Sequence, residues 1–320
     1  EKFLLPGYWL VTLFSPDFFG NPATRNLFKA GSAQYYEGII FFGIAALIFG
    51  LHAFFTLRRN KMVLFWIFLF IVPFIFIFDW QISKFFLKLP IPIINSSIPN
   101  RIVFLLPLSA SIISAYGVNR WLSVKDKKIF LPIFVIGAIF FLILLFLFLV
   151  KLFNIHYFNE EFQITSQPAI VSLRNFMVPM SVYLASSILI IFATCFKKYK
   201  SLVIALVLCI TYLHIFYFSQ KYFSFSERKY VFPESDVLEF IKNHQGINRS
   251  WGAGDGSLEN NFASFYKLYW PEGYISLNDK SYAEFTFLMQ GESLDKFRQL
   301  GFRADAGLGH GESSDLFENS

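Results

Sequence analysis

Residues 102–150, IVFLLPLSASIISAYGVNRWLSVKDKKIFLPIFVIGAIFFLILLFLFLV, hold two long apolar runs with a knot of charge between them: Arg120, then Lys125, Asp126, Lys127 and Lys128. Each run is close to the ~20 residues that a helix needs to cross the hydrocarbon core of a bilayer. No soluble fold places so little charge beside so much aliphatic and aromatic surface, so this stretch predicts two membrane passes joined by a tight basic turn.

Working outward, the same pattern recurs. Upstream lie apolar runs at about Tyr35–Leu57 and Met62–Phe78, separated by Arg58, Arg59 and Lys61. Downstream, runs at about Phe176–Phe196 and Ser201–Phe218 flank Lys197, Lys198 and Lys200. With the two central passes, at about Ile102–Leu122 and Ile129–Val150, the expectation is six transmembrane helices. The chain of 320 residues is 55% hydrophobic and only 16% charged, against about 25% charged in soluble domains. Its mean hydropathy of +0.50 agrees. The 44 phenylalanines fit lipid-facing surface and carry no functional inference.

Charge then sets orientation. The turns after the first, third and fifth passes carry ten cations, Arg58, Arg59, Lys61, Arg120, Lys125, Lys127, Lys128, Lys197, Lys198 and Lys200. The longer loops on the other side carry Lys84, Lys88, Arg101, Lys151 and Arg174. Short basic loops stay in the cytoplasm, so the protein is expected in the cell membrane, multi-pass, with the longer loops exoplasmic. The net charge of +6 forms no stripe, which argues against a nucleic-acid partner. Cys195 and Cys209 both fall inside predicted passes, so free buried thiols are expected rather than a disulfide.

Three regions frame the passes: residues 1–34, an exoplasmic or interfacial segment; 35–221, the six-helix region; and 222–320, a small exoplasmic α+β module. In the first, Phe3–Phe14 is too short to span and is expected at the interface with Tyr8 and Trp9 as anchors. SPDFFGNP (Ser15–Pro22) reads as consecutive turns. In the last, FPESDVLEFIKNH (Phe232–His244) reads as an amphipathic helix, INRSW as a short strand, and GAGDG (Gly252–Gly256) as a turn. The chain starts at Glu1 and stops in a polar run, and both ends read as cut from something longer.

Candidate chemistry lies at the exoplasmic membrane surface. Asp17, Glu37, Asp79, Glu160 and Glu161 are carboxylates able to bind a divalent ion or to take a proton from a hydroxyl. Arg25 and Arg101 are cations able to hold a lipid-linked phosphate. For any one of these the plainer role is to cap a helix or to snorkel. Arg101 stands out because Pro90, Pro92 and Pro99 stiffen the stretch before it. Glu37 stands out by its place at the mouth of the first pass. His52, His156, His214, His244 and His310 lack metal-ligand spacing. Pro73, Pro107, Pro132 and Pro179 are placed to kink helices around a cavity.

Three of these stretches carry a resemblance. PDFFGNPATRN (Pro16–Asn26), Tyr35-Tyr36-Glu37-Gly38 and Ile98-Pro99-Asn100-Arg101 resemble the large bacterial YfhO-type membrane proteins. In that family an Arg similarly opens a helix containing Ala and Gly, here SASIISAYGVNRW. The stretches FPESDVLEFIKNHQGINRSWGAGDG and Tyr266–Tyr282 are similar to the start of the family's exoplasmic domain. The family looks like the GT-C class of glycosyltransferases. The resemblance therefore implies transfer of a sugar from a polyprenyl-phosphate carrier to a cell-envelope acceptor on the outer face. It also implies an aspartate base in a first exoplasmic loop that precedes this chain, with Asp17 in a later one, and it leaves room for a divalent metal. Two other functions fit the composition. A lipid-carrier flippase or other transporter would carry ionisable residues deep in its passes, whereas here they gather at the ends. A non-catalytic scaffold for envelope assembly would tolerate the loss of its interfacial charges.

Overall fold

The computed structural model describes residues 4–29, 35–89, 99–124, 127–153, 155, 167–223, 225–250, 252, 258, 261–270 and 280–289. The chain divides into two compact units, Glu1–Ser224 and Phe225–Ser320.

The first unit is a helical bundle. Its helices are α1 (Ile44–Thr56), α2 (Lys61–Ile77), α3 (Gln81–Lys88), α4 (Leu105–Ser123), α5 (Phe130–Leu152), α6 (Pro168–Cys195) and α7 (Lys200–Ser219). Counted with their flanking turns, four helical stretches are long and apolar enough to cross a membrane: Ile102–Ser123, Lys127–Leu152, Pro168–Cys195 and Lys197–Tyr222. This is a membrane protein by that measure. The first two expected passes form shorter apolar helices, of 13 residues in α1 and 17 in α2.

Local chemistry explains several boundaries. The first pass was expected from Tyr35, yet α1 starts nine residues later. Gly43 has φ 103°, in the left-handed half of backbone space that a helix cannot use, so residues 39–43 run irregularly and pack against α7. In α2 the Asn60 side chain accepts from the Met62 and Val63 amides, an N-cap that begins the helix directly after the basic turn. In α6 Pro168 occupies the first helical position, where a missing N–H costs nothing. This helix starts eight residues before the expected Phe176. Pro73 and Pro179 sit inside α2 and α6.

The bundle centres on α1 and α4. Gly117 of α4 lies so close to α1 that a Cβ there would overlap the Phe49 carbonyl. One turn away, the Ser114 hydroxyl is 2.7 Å from the Ala46 carbonyl. Small residues at such spacing let two membrane helices approach closely. On the other side of the bundle, Tyr183 of α6 donates to the Ile133 carbonyl of α5 at 2.8 Å, and its ring stacks on Phe140 at 5.0 Å.

Residues 4–29 close one end of this bundle. Leu5 makes an isolated parallel bridge with Phe78 at the end of α2: Leu5 N–H donates to Ile77 O at 2.7 Å, and Asp79 N–H to Leu5 O at 2.8 Å. Trp9 does not act as the expected interfacial anchor. It is fully buried, its indole N–H donates to the Gly38 carbonyl at 2.6 Å, and its ring stacks on Phe19 at 4.7 Å. With its polar atom satisfied inside, the indole has no reason to remain at the water boundary. The cysteine expectation is also corrected: Cys195 and Cys209 are free but exposed on the helix surface.

The second unit is built on α8 (Asp236–His244), a single turn α9 (Phe262–Phe265) and α10 (Lys280–Met289). Ser235 caps α8 by accepting from the Leu238 amide, and Asp236 and Glu239 complement the helix dipole. Leu238, Ala263, Tyr266 and Leu268 form a small core. The Gln245 side chain clasps the Tyr269 backbone, donating to its carbonyl at 2.6 Å and accepting from its amide at 3.2 Å. The described residues here are helices, turns and loops, with no strand among them. Of the expected strand INRSW, Ser250 makes one backbone bond, to Tyr269, and Trp251 lies outside the described residues.

Candidate functional site

The turn sequence SPDFFGNP folds as its residues dictate. Gly20 has φ 87°, and a Cβ there would overlap the Asn26 backbone, so only glycine fits. The Asn21 side chain accepts from the Ala23 amide at 2.9 Å, the Asx geometry that asparagine favours before a proline. The Asn21 amide N–H donates to Asn26 Oδ1 at 2.8 Å. The chain is thereby folded back on itself, with Asp17 turned inward and buried.

Asp17 is the hub of a polar cluster at this end of the bundle. Its Oδ1 accepts from Asn21 Nδ2 at 2.8 Å and lies 3.0 Å from the Tyr35 hydroxyl. Its Oδ2 is paired with Lys221, and its backbone carbonyl accepts from Asn175 Nδ2 at 2.7 Å. The second proton of Asn21 Nδ2 goes to the Tyr222 hydroxyl at 2.9 Å, and Tyr222 stacks on Tyr35 at 6.1 Å. Next to Asp17, the Phe18 carbonyl accepts from Ser172 of α6 at 2.8 Å. The tyrosine hydroxyl has one proton to give, and the Gly20 carbonyl at 2.8 Å also faces it.

The electrostatics follow from burial. Removal from water, and after it the Asp17 carboxylate, holds the Tyr35 phenol well above its ordinary pKa. It therefore stays a neutral donor. The Lys221 side chain keeps 18% of its surface and is the wettest member of its ion pair; its ammonium also lies 4.8 Å from the Tyr217 ring centroid. Chemically the cluster offers a carboxylate faced by two neutral donors, Asn21 and Tyr35, and by the Lys221 cation at its open edge.

Of the described side chains singled out from sequence, Asp17 is the one placed in this cluster. Arg25 is exposed, in the left-handed conformation at φ 52°, and caps a short 3-10 turn (Pro22–Thr24). Glu37 and Arg101 lie in 3-10 turns, Tyr35–Gly38 and Pro99–Phe104, and their side chains fall outside the described residues, as do Glu160 and Glu161. Asp79 pairs with Lys84 at 2.8 Å beside the start of α3. The partners that sequence reading missed are Asn21, Tyr35, Asn175, Lys221 and Tyr222. Asp17 and Asn21 share one turn, a local signal; the others come from far along the chain and give none. Among the described residues no group of three or more His, Cys, Asp and Glu is placed to hold a metal ion.

Comparisons of the chain with protein-family models, curated proteins and solved structures find no match.

Proposed function

We propose that this chain contributes six passes to a membrane protein of the YfhO-like, GT-C-like kind, transferring a sugar from a polyprenyl-phosphate carrier to a cell-envelope acceptor. In this reading α1, α2 and α4 to α7 each cross the bilayer. The basic turns are cytoplasmic, and the Asp17 end and the second unit are exoplasmic. The supporting observation is the Asp17 cluster itself, a preorganised set of carboxylate, cation and phenols at the end of the bundle opposite the basic turns. A carboxylate near this surface, Glu37 or Asp17, would take the proton from the acceptor hydroxyl. Arg101, Arg25 and Lys221 would hold the leaving phosphate where charge develops. The sequence resemblance of residues 16–26, 35–38 and 98–101 supports the choice of donor.

A second reading is favoured by one specific observation. The Asp17 carboxylate is buried and has its hydrogen-bond capacity largely filled, which suits a fastening better than a base. On that view the chain is a scaffold for envelope assembly. The test is turnover of a polyprenyl-phosphate sugar by the purified complete protein in proteoliposomes, comparing wild type with Glu37→Gln and Arg101→Gln. A loss of a hundredfold or more in either, with folding intact, supports the transferase. Full turnover in both removes these residues from the mechanism, and no turnover by wild type with any polyprenyl donor favours the scaffold.

A further inference from the structure

The surface between α5 and α6 carries a feature that the sugar chemistry does not use. Most of the outer face of α5 is convex and apolar, as at Leu131 and Phe134, which is ordinary lipid-facing surface. Along one stripe, however, it recedes into an open groove of about 660 Å³, within the usual size of ligand sites. Phe141, Leu144, Leu145, Phe148 and Leu152 form one wall and Leu173 of α6 the other. Among the described residues the one charged residue lining it is Lys151, in the last turn of α5 and exposed. Arg174, also exposed, follows Leu173 on the facing helix.

We infer that this groove seats one anionic glycerophospholipid of the bilayer, its acyl chain along the α5 stripe and its phosphate at Lys151. Charge and length both point to that occupant. A recess ending in a lysine matches a phosphodiester headgroup joined to a greasy tail; basic pockets between membrane helices bind acidic lipids on the same principle. From Phe141 to Leu152 the stripe rises about 16 Å at 1.5 Å per residue. That is the depth of one leaflet, half of a core about 30 Å thick. It accommodates an acyl chain confined to a leaflet, whereas a polyprenyl chain is far longer than the groove. The site also has a structural consequence. Asn175, one residue beyond Arg174, holds the Asp17 carbonyl, so a lipid bracing the first turns of α6 braces the polar cluster too.

The experiment uses the purified complete protein in nanodiscs of phosphatidylcholine with one quarter phosphatidylglycerol, read by native mass spectrometry after release. One phosphatidylglycerol per chain is expected to survive, at least tenfold enriched over phosphatidylcholine. Lys151→Gln should weaken retention about fivefold. Leu145→Trp, which fills the groove without touching charge, should abolish it, and Leu202→Trp on the exposed face of α7 should leave it unchanged. Equal retention of the two lipids overturns the inference, as does wild-type retention in both groove variants. Displacement of phosphatidylglycerol by equimolar polyprenyl phosphate also overturns it, because the groove would then belong to the donor. The result is independent of sugar turnover, so the two proposals fail separately.

Discussion

Lys200, the first residue of α7, reaches the last turn of α4 and donates to the backbone carbonyls of Trp121 and, at 2.9 Å, Val124. Its ammonium lies 4.7 Å from the centroid of the Trp121 ring, whose own N–H donates to Thr194 of α6 at 3.0 Å. The last carbonyls of a helix have no partner within it, and a cation is the best donor for them because the dipole there is negative. One lysine thus ties three helices together at the basic end. Lys200→Met keeps the stem and removes the donor. It should cost about 1.5–3 kcal/mol, the range for hydrogen bonds to charged groups, seen as a lower midpoint of thermal unfolding in detergent. An unchanged midpoint would mean the carbonyls are satisfied otherwise.

Gly117 should tolerate nothing larger. A Cβ at this position overlaps the Phe49 carbonyl, which is backbone and cannot rotate away. Gly117→Leu should separate α1 from α4 and cost more than the about 1–3 kcal/mol typical of overpacking. Gly50→Ala, whose Cβ would sit 3.3 Å from the movable Ser114 hydroxyl, should be mild. The recovered monodisperse fraction from solubilised membranes distinguishes the two.

Asp17 and Lys221 should behave as one unit. Removing one partner of a buried ion pair costs about 3–5 kcal/mol, and the low end is expected because Lys221 keeps 18% of its surface in contact with solvent. Asp17→Asn and Lys221→Met should each destabilise, and the double variant should lose clearly less than their sum. Strict additivity in a double-mutant cycle would show that the pair is not coupled.

Tyr35 gives the protein a defined alkaline limit. Its folded-state pKa lies above the unfolded value of about 10, so folding favours the protonated phenol. That contribution is complete below pH 10 and is lost as pH rises towards the folded pKa, because only the unfolded chain then gains by ionising. Thermal midpoints measured from pH 8 to 11 should fall above pH 10 in wild type. Tyr35→Phe should be less stable at pH 8, by about 1 kcal/mol for one hydrogen bond, and fall less steeply above pH 10.

Orientation is open to direct labelling. With Cys195 and Cys209 replaced by serine, a membrane-impermeant maleimide should modify Ser226→Cys in intact cells and Lys198→Cys only after permeabilisation. Both wild-type residues are exposed. The opposite pattern would invert the proposed topology and end the exoplasmic sugar chemistry.

Much of the bundle was legible because hydrophobic runs are local. The expected pass at Ile129–Val150 appears as Phe130–Leu152, and Ser201–Phe218 as Lys200–Ser219. The errors have physical causes. Helix α6 begins early because the polar-looking VSLRN stretch is amphipathic, with Val171 and Ser172 buried and Ser172 holding the Phe18 carbonyl. Helix α3 was hidden in a loop read as proline-rich. Asp17 was visible as a charge at the membrane surface, but its purpose was not. Asn175 and Lys221 lie 158 and 204 residues further along, and no spacing rule connects such distant positions.

That separation bears on how the protein is made. The Asp17 carboxylate is synthesised long before the lysine that neutralises it, and the Phe18 carbonyl before the serine that donates to it. The Asp17 cluster is therefore complete only once Lys221 and Tyr222 have been made. A nascent chain halted before Lys221 leaves the Asp17 carboxylate without its cation.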